Sequence, residues 1–233
     1  MTKLRLALAL FALVPAIGLG ADSSPSVPYP LPAEERFVYA RTIGDKRDEV
    51  EIRTRLVSSE GAPYRELTMR SSSQDGLLKL DPATLFATYS DITTRGKDAT
   101  IRRVTTIEEN RAKPKGNEVF VSGVDSLGQT LRLIPWERQQ KAKLVFVGSS
   151  GGDNFNFELS VSGKETISAG GRGIECWKVQ LGLSGIFGGL MGKTSLWFST
   201  GNPSFLVKSS GPSAGPGSPT SLMELESYSS LSL

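Results

Sequence analysis

The chain has 233 residues, with 27 Lys or Arg against 24 Asp or Glu, one cysteine and no histidine. The single cysteine excludes an internal disulfide, and the lack of histidine removes the usual base for Ser or Cys nucleophiles and the commonest zinc ligand. The nearly balanced charge offers no basic field for nucleic acid. We therefore expect no nucleic-acid partner, no metal and no other cofactor.

The first 20 residues have the three parts of a secretory signal peptide. Lys3 and Arg5 precede an apolar run over 6–14, and a small-x-small triplet ends at Gly20. The apolar run is shorter than the roughly 20 residues that a membrane span needs. We therefore expect cleavage near Gly20, no stable transmembrane segment afterwards, and a periplasmic or secreted protein.

Residues 21–33 are rich in Pro and Ser and have no hydrophobic period, which is typical of a disordered or extended leader. From residue 34 to residue 233, apolar and polar side chains alternate with a period of two, and turn signals recur at intervals of about 8 to 12 residues. This pattern predicts one mainly β domain, an antiparallel meander curled into a half-barrel, a barrel or a sandwich.

Short strands account for most of this domain in the prediction. They cover residues 36–42, 48–56, 64–70, 99–107, 117–123, 129–134, 143–148, 154–161, 165–168, 173–183, 193–199, 205–211 and 221–229. One or two short helices complete it. Asp81 followed by Pro82 predicts a capped helix near 82–90, and Pro135 begins a weaker candidate over 135–143.

Two carboxylates form the first candidate catalytic pair. Glu49 and Glu51 project from one face of a predicted strand about 6.5 to 7 Å apart, a separation found between the acid and base of inverting glycosidases. Arg53 and Arg55 share that face and would keep both carboxylates ionised, whereas an acid catalyst must be protonated. We interpret the face as a solvated, ion-paired surface.

Cys176 lies in the predicted strand 173–183, next to Trp177. If Trp177 points inward, Cys176 falls on the polar face with Lys178, which could lower the pKa of the thiol. No second cysteine and no histidine is present to act with it. We expect a passive small side chain.

The aromatic residues of the second half are candidates for a ligand contact. If the sheet forms an open barrel, Trp177 and Trp197 could line its inside and meet an apolar ligand. The alternative is that they belong to a filled core, since alternating strands bury such residues. The pattern alone leaves both open.

The glycine-rich stretch 185–194, GIFGGLMGKT, ends like a phosphate-binding loop. Such a loop needs its first glycine at the position of Phe187, and it opens a helix, whereas 194–199 alternates as a strand. We therefore expect no nucleotide. Large apolar side chains among glycines instead predict a plug over the end of the sheet or a contact for membrane, ligand or partner; they are Ile186, Phe187, Leu190 and Met191.

The C-terminal strands resemble the end of an exported bacterial family, domain-of-unknown-function family 3108. The likeness lies in Gly173 to Val179, Trp197-Phe198, Pro203 to Lys208 and Met223 to Glu226, and it covers about the last 90 residues. It implies a strongly curved antiparallel sheet akin to the half-barrels of periplasmic lipoprotein carriers. It implies no catalytic or binding residues, and the glycine-rich turn 185–192 departs from its pattern.

These observations favour a non-enzymatic envelope protein that holds an apolar ligand, such as an acyl chain, or an extended segment of a partner protein. One alternative is a hydrolase that acts on envelope glycans with carboxylates alone, with Glu49, Glu51, Glu158 and Glu175 as candidates. Another is a structural module of an envelope assembly. A cavity in the structure would favour the first hypothesis over a filled core.

Overall fold

A computed structural model describes residues 30–58, 61–107, 114–147, 156–183, 193–213 and 217–231. The predicted signal peptide and nearly all of the predicted leader lie outside these ranges. Within them the fold is mainly β, as predicted. Its elements are β1 (Glu34–Ile43), β2 (Lys46–Val57), β3 (Tyr64–Ser71), β4 (Gln74–Leu80), β5 (Ala87–Arg95), β6 (Thr100–Thr106), β7 (Glu118–Val121), a 3-10 turn (Val124–Ser126), α1 (Leu127–Leu131), β8 (Lys141–Phe146), β9 (Asn156–Ala169), β10 (Arg172–Leu183), β11 (Thr194–Ser199), β12 (Leu206–Pro212) and β13 (Thr220–Leu231).

All 13 strands form one sheet in the order β6-β5-β4-β3-β2-β1-β13-β12-β11-β10-β9-β8-β7. Neighbouring strands are antiparallel except β7 and β8, which are parallel. The pairing of β1 with β13 joins the two halves of the chain. As a result, β6 and β7 follow one another in the chain but occupy opposite edges of the sheet.

The sheet curls until its two ends approach each other. The backbone N–H of Ala87, in β5, donates to Oγ of Ser122, just after β7, at 3.1 Å. The hydroxyl of Thr130 in α1 donates to the carbonyl of Leu85 at 3.2 Å. Since β6 and β7 do not pair, the barrel-like sheet stays open along one side; we call this gap, between β6 and residues 121–126, the seam.

Apolar side chains fill most of the interior in two clusters. One gathers around Phe37 and Leu67 from the first half of the sheet, and the other around Leu144 and Phe198 from the second half. The segment that contains α1 lies between them, because Leu133 belongs to the first cluster while Leu131 belongs to the second. This short helix thus serves as the internal support of the curled sheet.

A β-bulge interrupts the pairing of β9 with β10. On one side of the bulge the hairpin packs against the second cluster, and on the other side it packs against the first. Val161 pairs with Val179 and Gly163 with Lys178, so Ser162 has no partner opposite it. Beyond this bulge the hairpin extends as an arm over the first cluster and turns at Gly170 (φ 54°). A Cβ on Gly170 would lie 2.7 Å from the carbonyl oxygen of Glu226 in β13, so only glycine permits this approach.

The predicted helix near 82–90 is wrong. Asp81 does cap a turn as expected, since its Oδ1 accepts N–H groups of Ala83 and Thr84 at 3.0 and 2.7 Å. The turn stops at Leu85, whose φ is 53°, and β5 begins at Ala87. Burial of Leu85 in the first cluster outweighs the helical start signal.

Two predictions around α1 are also wrong. Residues 129–134, predicted as a strand, begin in α1 and continue as turns, and the segment packs inside the curled sheet against both apolar clusters. The predicted helix at 135–143 is a turn followed by β8. There the side-chain amide of Gln140 donates to the carbonyl of Trp136 at 2.6 Å. In a helix the backbone N–H of Gln140 would donate to that carbonyl instead.

Strands β4 and β5 were missed, since Gly76 and a series of Ser and Thr residues weaken their alternation. The separate strands predicted at 154–161 and 165–168 are the single strand β9, continuous through the bulge. No helix among the described residues is both long and apolar enough to span a membrane.

Candidate functional site

The seam holds a cavity that is built mainly on the inner face of β5 and β6. Cross-strand pairs put Ser90 beside Thr105 and Ile92 beside Arg103, so these four side chains share one face. Residues 122–126 form the opposite wall. The volume of this seam cavity is about 410 Å³.

Its lining is partly aliphatic and partly polar. The aliphatic side chains come from β4 to β6, the residue after β6 and the 3-10 turn; they are Leu78, Ile92, Ile101, Ile107 and Val124. Ile101 and Val124 are 62% and 70% exposed, which is unusual for large apolar residues and places them at the cavity mouth. Such surface is available for an apolar ligand.

Two charged groups mark the polar side of the cavity. Asp125 accepts a hydrogen bond from the amide of Gln74 at 3.1 Å. Burial raises the pKa of the Asp125 carboxyl above its usual range, while the Gln74 hydrogen bond and the positive charge of Arg103 oppose this rise. Arg103 has neither a hydrogen bond nor an ion pair to any described residue, so its guanidinium is available to an anionic ligand.

The wall that faces β5 and β6 is held in place by hydrogen bonds. Ser126 donates its hydroxyl to the carbonyl of Gly123 at 3.0 Å and lies 3.3 Å from the hydroxyl of Ser122. Ser122 in turn accepts the N–H of Ala87. The cavity therefore has one wall fixed to β5 and one edge, that of β6, which no strand of the described residues pairs with.

A buried charge network anchors α1 to the sheet further inside. Arg132 donates to both carboxylate oxygens of Glu35, at 2.8 and 2.9 Å. Arg65 lies 3.5 Å from the same carboxylate and donates to the carbonyl of Pro32 at 2.5 Å. Tyr228 donates to Glu35 at 3.1 Å. We call this set the Glu35 network; its two arginines and its carboxylate are nearly inaccessible to solvent.

The structure does not bring the predicted tryptophan contacts together. Trp177 is opposite Phe198 in the sheet and Trp197 is opposite Lys178, so the two indoles point to opposite faces. Trp197 is buried and donates its Nε1–H to Glu165 at 2.8 Å. Lys164 lies 4.4 Å above the Trp177 ring. Neither indole lines the seam cavity.

The remaining predicted contact residues belong to the glycine-rich stretch. Ile186, Phe187, Leu190 and Met191 lie outside the described residues. Whether this stretch forms a plug or a contact therefore stays a prediction.

In the carboxylate pair on β2, Glu51 is ion-paired, as expected. Glu51 contacts Arg36 at 2.5 Å and Arg53 at 2.6 Å, and the hydrogen bonds from Arg53 and Arg36 hold the pKa of its carboxyl below the usual range. The pKa of Glu175, another carboxylate candidate, is likewise lowered by hydrogen bonds from Thr200 and Lys164.

Cys176 is fully buried in the first cluster. Burial and the charges of Glu175 and Glu165 raise the pKa of its thiol to about 12. Lys178, which could have lowered the pKa of the thiol, instead pairs its ammonium with Glu165 at 2.7 Å. The position of the thiol is that of a passive side chain.

A larger cavity, of about 570 Å³, lies beneath the arm between β10, β13 and the turn after β11. Its rim carboxylates are paired, Glu175 with Lys164 at 3.3 Å and Glu226 with Arg47 at 2.8 Å. The strands around it have neighbours on both edges. The seam cavity is the stronger candidate because Arg103, which has no ion pair to a described residue, lies there beside a backbone edge that no described strand pairs with.

The residues of the seam were not predicted from the sequence, although the predicted strand 99–107 has the residue pattern of an edge strand. Its alternation puts Ile101 and Arg103 on one face, and Arg102 and Val104 on the other, so neither face is apolar. Such a strand cannot lie within a sheet that is covered on one side, and it is typical of an edge. The position of Asp125 across the seam from Arg103 could not be read from the pattern.

Comparisons with known proteins show likeness in fold at most. No family model and no curated protein matches the chain. A β-barrel-like protein of the DUF1849 family from Brucella abortus is similar over 86% of this chain and 99% of that one, with 9% identity and a TM-score of 0.45. A DUF1329 family protein from Desulfovibrio piger is similar over 85% and 86%, with 9% identity and a TM-score of 0.29.

Proposed function

We propose that the protein is an exported, non-enzymatic binding protein of the cell envelope, and that its seam cavity receives a ligand with an apolar part and an anionic group. The observation that carries this proposal is the pairing of an aliphatic lining with Arg103, which has no hydrogen bond or ion pair to a described residue and whose charge acts on Asp125 across the cavity. The cavity volume is within the range of about 300 to 1,000 Å³ that is usual for ligand sites.

The chemistry of the lining defines the ligand class. Ile92 and Ile101 offer apolar surface next to Arg103, so a ligand that buries an acyl or aliphatic portion there can also present an anion to the guanidinium. Arginine binds carboxylates and phosphates through paired hydrogen bonds, which gives orientation as well as affinity. Asp125, on the opposite wall, would disfavour a second anion.

The states of the candidate catalytic groups support a non-enzymatic role. Glu51 is held ionised by two arginines, so it is a poor general acid. Cys176 is buried and its thiol pKa is near 12, so it is a poor nucleophile at neutral pH.

The proposed location rests on the first 20 residues, whose basic start, apolar run and small-x-small end are typical of a cleaved signal. Membership of family 3108 is part of the same proposal and rests on the strand motifs of the last 90 or so residues.

Native mass spectrometry of the protein recovered from the envelope would test this function. We expect a bound ligand on the wild type, or binding of oleate as an anionic amphiphile. The variant Ser90→Trp fills the cavity from β5 and should abolish that binding. Thr93→Trp, on the outer face of the same strand, is the matched control and should bind normally.

Loss of binding in Ser90→Trp is evidence for binding in the seam cavity only if the thermal unfolding of this variant matches that of Thr93→Trp. Arg103→Met provides a second test, because it keeps the length and apolar character of the side chain while it removes the charge. If the wild type carries no ligand and binds neither oleate nor an acidic peptide, the proposed function is wrong.

A further inference from the structure

We infer that the occupant of the seam cavity is an extended, acidic segment of a partner polypeptide, which pairs with β6 as an added antiparallel strand. This inference rests on the proposed binding function of the seam and names the partner. It combines three observations at one place: a strand whose outer edge no described strand pairs with, a cavity on the inner side of that edge, and an arginine without an ion pair to a described residue.

The free edge of β6 has a definite set of backbone groups. The N–H of Ile107 donates to the carbonyl of Thr88 at 2.9 Å, which continues the pairing of β6 with β5. In an antiparallel strand the N–H and C=O of one residue point to the same edge, and they alternate along the strand. The outward groups are therefore those of Arg102, Val104 and Thr106.

Because β6 ends the sheet, no strand among the described residues accepts these outward groups. Proteins normally shield such an edge, since it is a template for another strand. Addition of a strand to a free edge is a recurrent mode of peptide recognition, in which backbone hydrogen bonds supply affinity and alternate side chains supply specificity.

The cavity would receive every second side chain of the added strand. Ile101, Arg103 and Thr105 point inward from β6. Side chains directly opposite in neighbouring strands lie about 4.5 to 5.5 Å apart. A residue opposite Arg103 would thus be within reach of its guanidinium, and its neighbours two positions away would lie against the aliphatic lining.

Charge selects the partner. Arg102 is already paired with Asp91 on the outer face, at 2.6 Å, whereas Arg103 on the inner face has no ion pair to a described residue. A second copy of this chain is a poor partner, because an antiparallel pair of β6 strands centred on Arg103 would oppose two arginines. An acidic residue flanked at two positions on either side by aliphatic residues fits the inner face.

A labelled peptide, Thr-Val-Thr-Glu-Thr-Val-Thr, is a suitable probe, with fluorescence anisotropy against the full-length mature protein as the readout. We expect the form with Lys in place of the central Glu to bind at least about fivefold more weakly. Arg103→Glu should reverse this preference, a result that a merely structural role of Arg103 would not produce.

Backbone pairing is tested separately. N-methylation of the two threonines that flank the glutamate removes the N–H groups that would face β6, and it should reduce affinity at least about tenfold. N-methylation of the glutamate itself, whose N–H points away, is the matched control. In the protein, Val104→Pro removes an outward N–H and should weaken binding while thermal unfolding stays normal, since proline is tolerated at a free edge.

The outcomes separate this inference from the proposed function. Equal binding of the two methylated peptides, or undiminished binding by Val104→Pro, overturns strand addition. If the peptides do not bind but oleate does, and Ser90→Trp blocks oleate, the binding function stands and the polypeptide partner is wrong. If no peptide binds while Arg103→Val self-associates, Arg103 only protects the edge from other strands, and the inference is also wrong.

Discussion

The Glu35 network and the seam both contain arginine, but they differ in what surrounds the charge. In the network, two buried arginines share Glu35 and also bond to backbone carbonyls. At the seam, Arg103 faces a cavity with no ion-pair partner among the described residues. A buried charge must be paired because it has lost its contact with water, whereas an exposed charge is stable without an ion pair and can bind a ligand. The first region therefore contributes to the stability of the fold, and the second is available for binding.

The largest expected effect comes from breaking the interior charge network. Glu35→Gln leaves Arg65 and Arg132 buried without a compensating charge, so we expect the free energy of unfolding to fall by about 3 to 5 kcal/mol. The matched control is Glu51→Gln, which also faces two arginines but lies on the surface, and it should cost less than about 1 kcal/mol. Urea unfolding measures both. Equal losses would contradict the contrast between the two regions.

The arm over the first cluster should show the next largest effect. Gly170→Ala places a Cβ 2.7 Å from the Glu226 carbonyl at a positive φ, so we expect a loss of about 1 to 3 kcal/mol in thermal unfolding experiments. Gly171→Ala is the control, because its φ is also positive but no atom lies within 4 Å of the added Cβ. If Gly171→Ala is the more damaging change, the close packing of the arm on β13 is not what requires glycine.

At the seam, stability and binding should separate. Arg103→Met removes no ion pair or hydrogen bond to a described residue, so the free energy of unfolding should change by no more than about 0.5 kcal/mol. The affinity for an anionic ligand should nevertheless fall about tenfold or more, since a hydrogen bond to a charged group is lost. Calorimetry of unfolding and of binding measures the two. A loss of stability as large as that of Glu35→Gln would place Arg103 with the structural charges.

The smallest effect concerns Asp125 and pH. Its folded-state pKa lies above the ordinary value of 3.8, so the folded protein holds the proton more tightly than the unfolded chain does. The ionised carboxylate therefore lowers stability at neutral pH, and this cost shrinks as the pH falls through the folded-state pKa and is gone below the unfolded value of 3.8. Asp125→Asn should be the more stable protein at pH 7, and the difference should vanish only below about pH 3, where the carboxyl is protonated in both states. If the stability difference between Asp125→Asn and the wild type grows towards acidic pH, the pKa of Asp125 is lowered by folding and not raised, which contradicts this prediction.

Much of the fold could be predicted from alternation alone. Strands such as β2 and β10 are half-buried, so their apolar and polar residues separate by face. The interior segment could not be predicted in this way, because residues such as Leu131 and Ile134 are buried on all sides. Their apolar run is equally compatible with a strand, and only the surrounding sheet excludes one.

The candidate site was harder to predict than the fold. Trp177 and Trp197 were predicted as ligand contacts because they are large aromatic residues. The pairing of β10 with β11, however, puts them on opposite faces of the sheet. No motif in the sequence distinguishes Arg103 from the other arginines. Its importance comes from the order of the sheet, which leaves β6 at an edge, and from the curl that brings Asp125 across from it. Both depend on contacts between residues far apart in the chain.

Amide hydrogen exchange of the wild type, with and without the Thr-Val-Thr-Glu-Thr-Val-Thr peptide, tests the central claim most directly. The account predicts slower exchange at the outward N–H groups of Arg102, Val104 and Thr106 when the peptide is bound. The amide of Ile107, already bonded to β5, should change little. Protection at the β9–β10 arm instead of at β6, with bound peptide present, would contradict the assignment of the seam as the binding site.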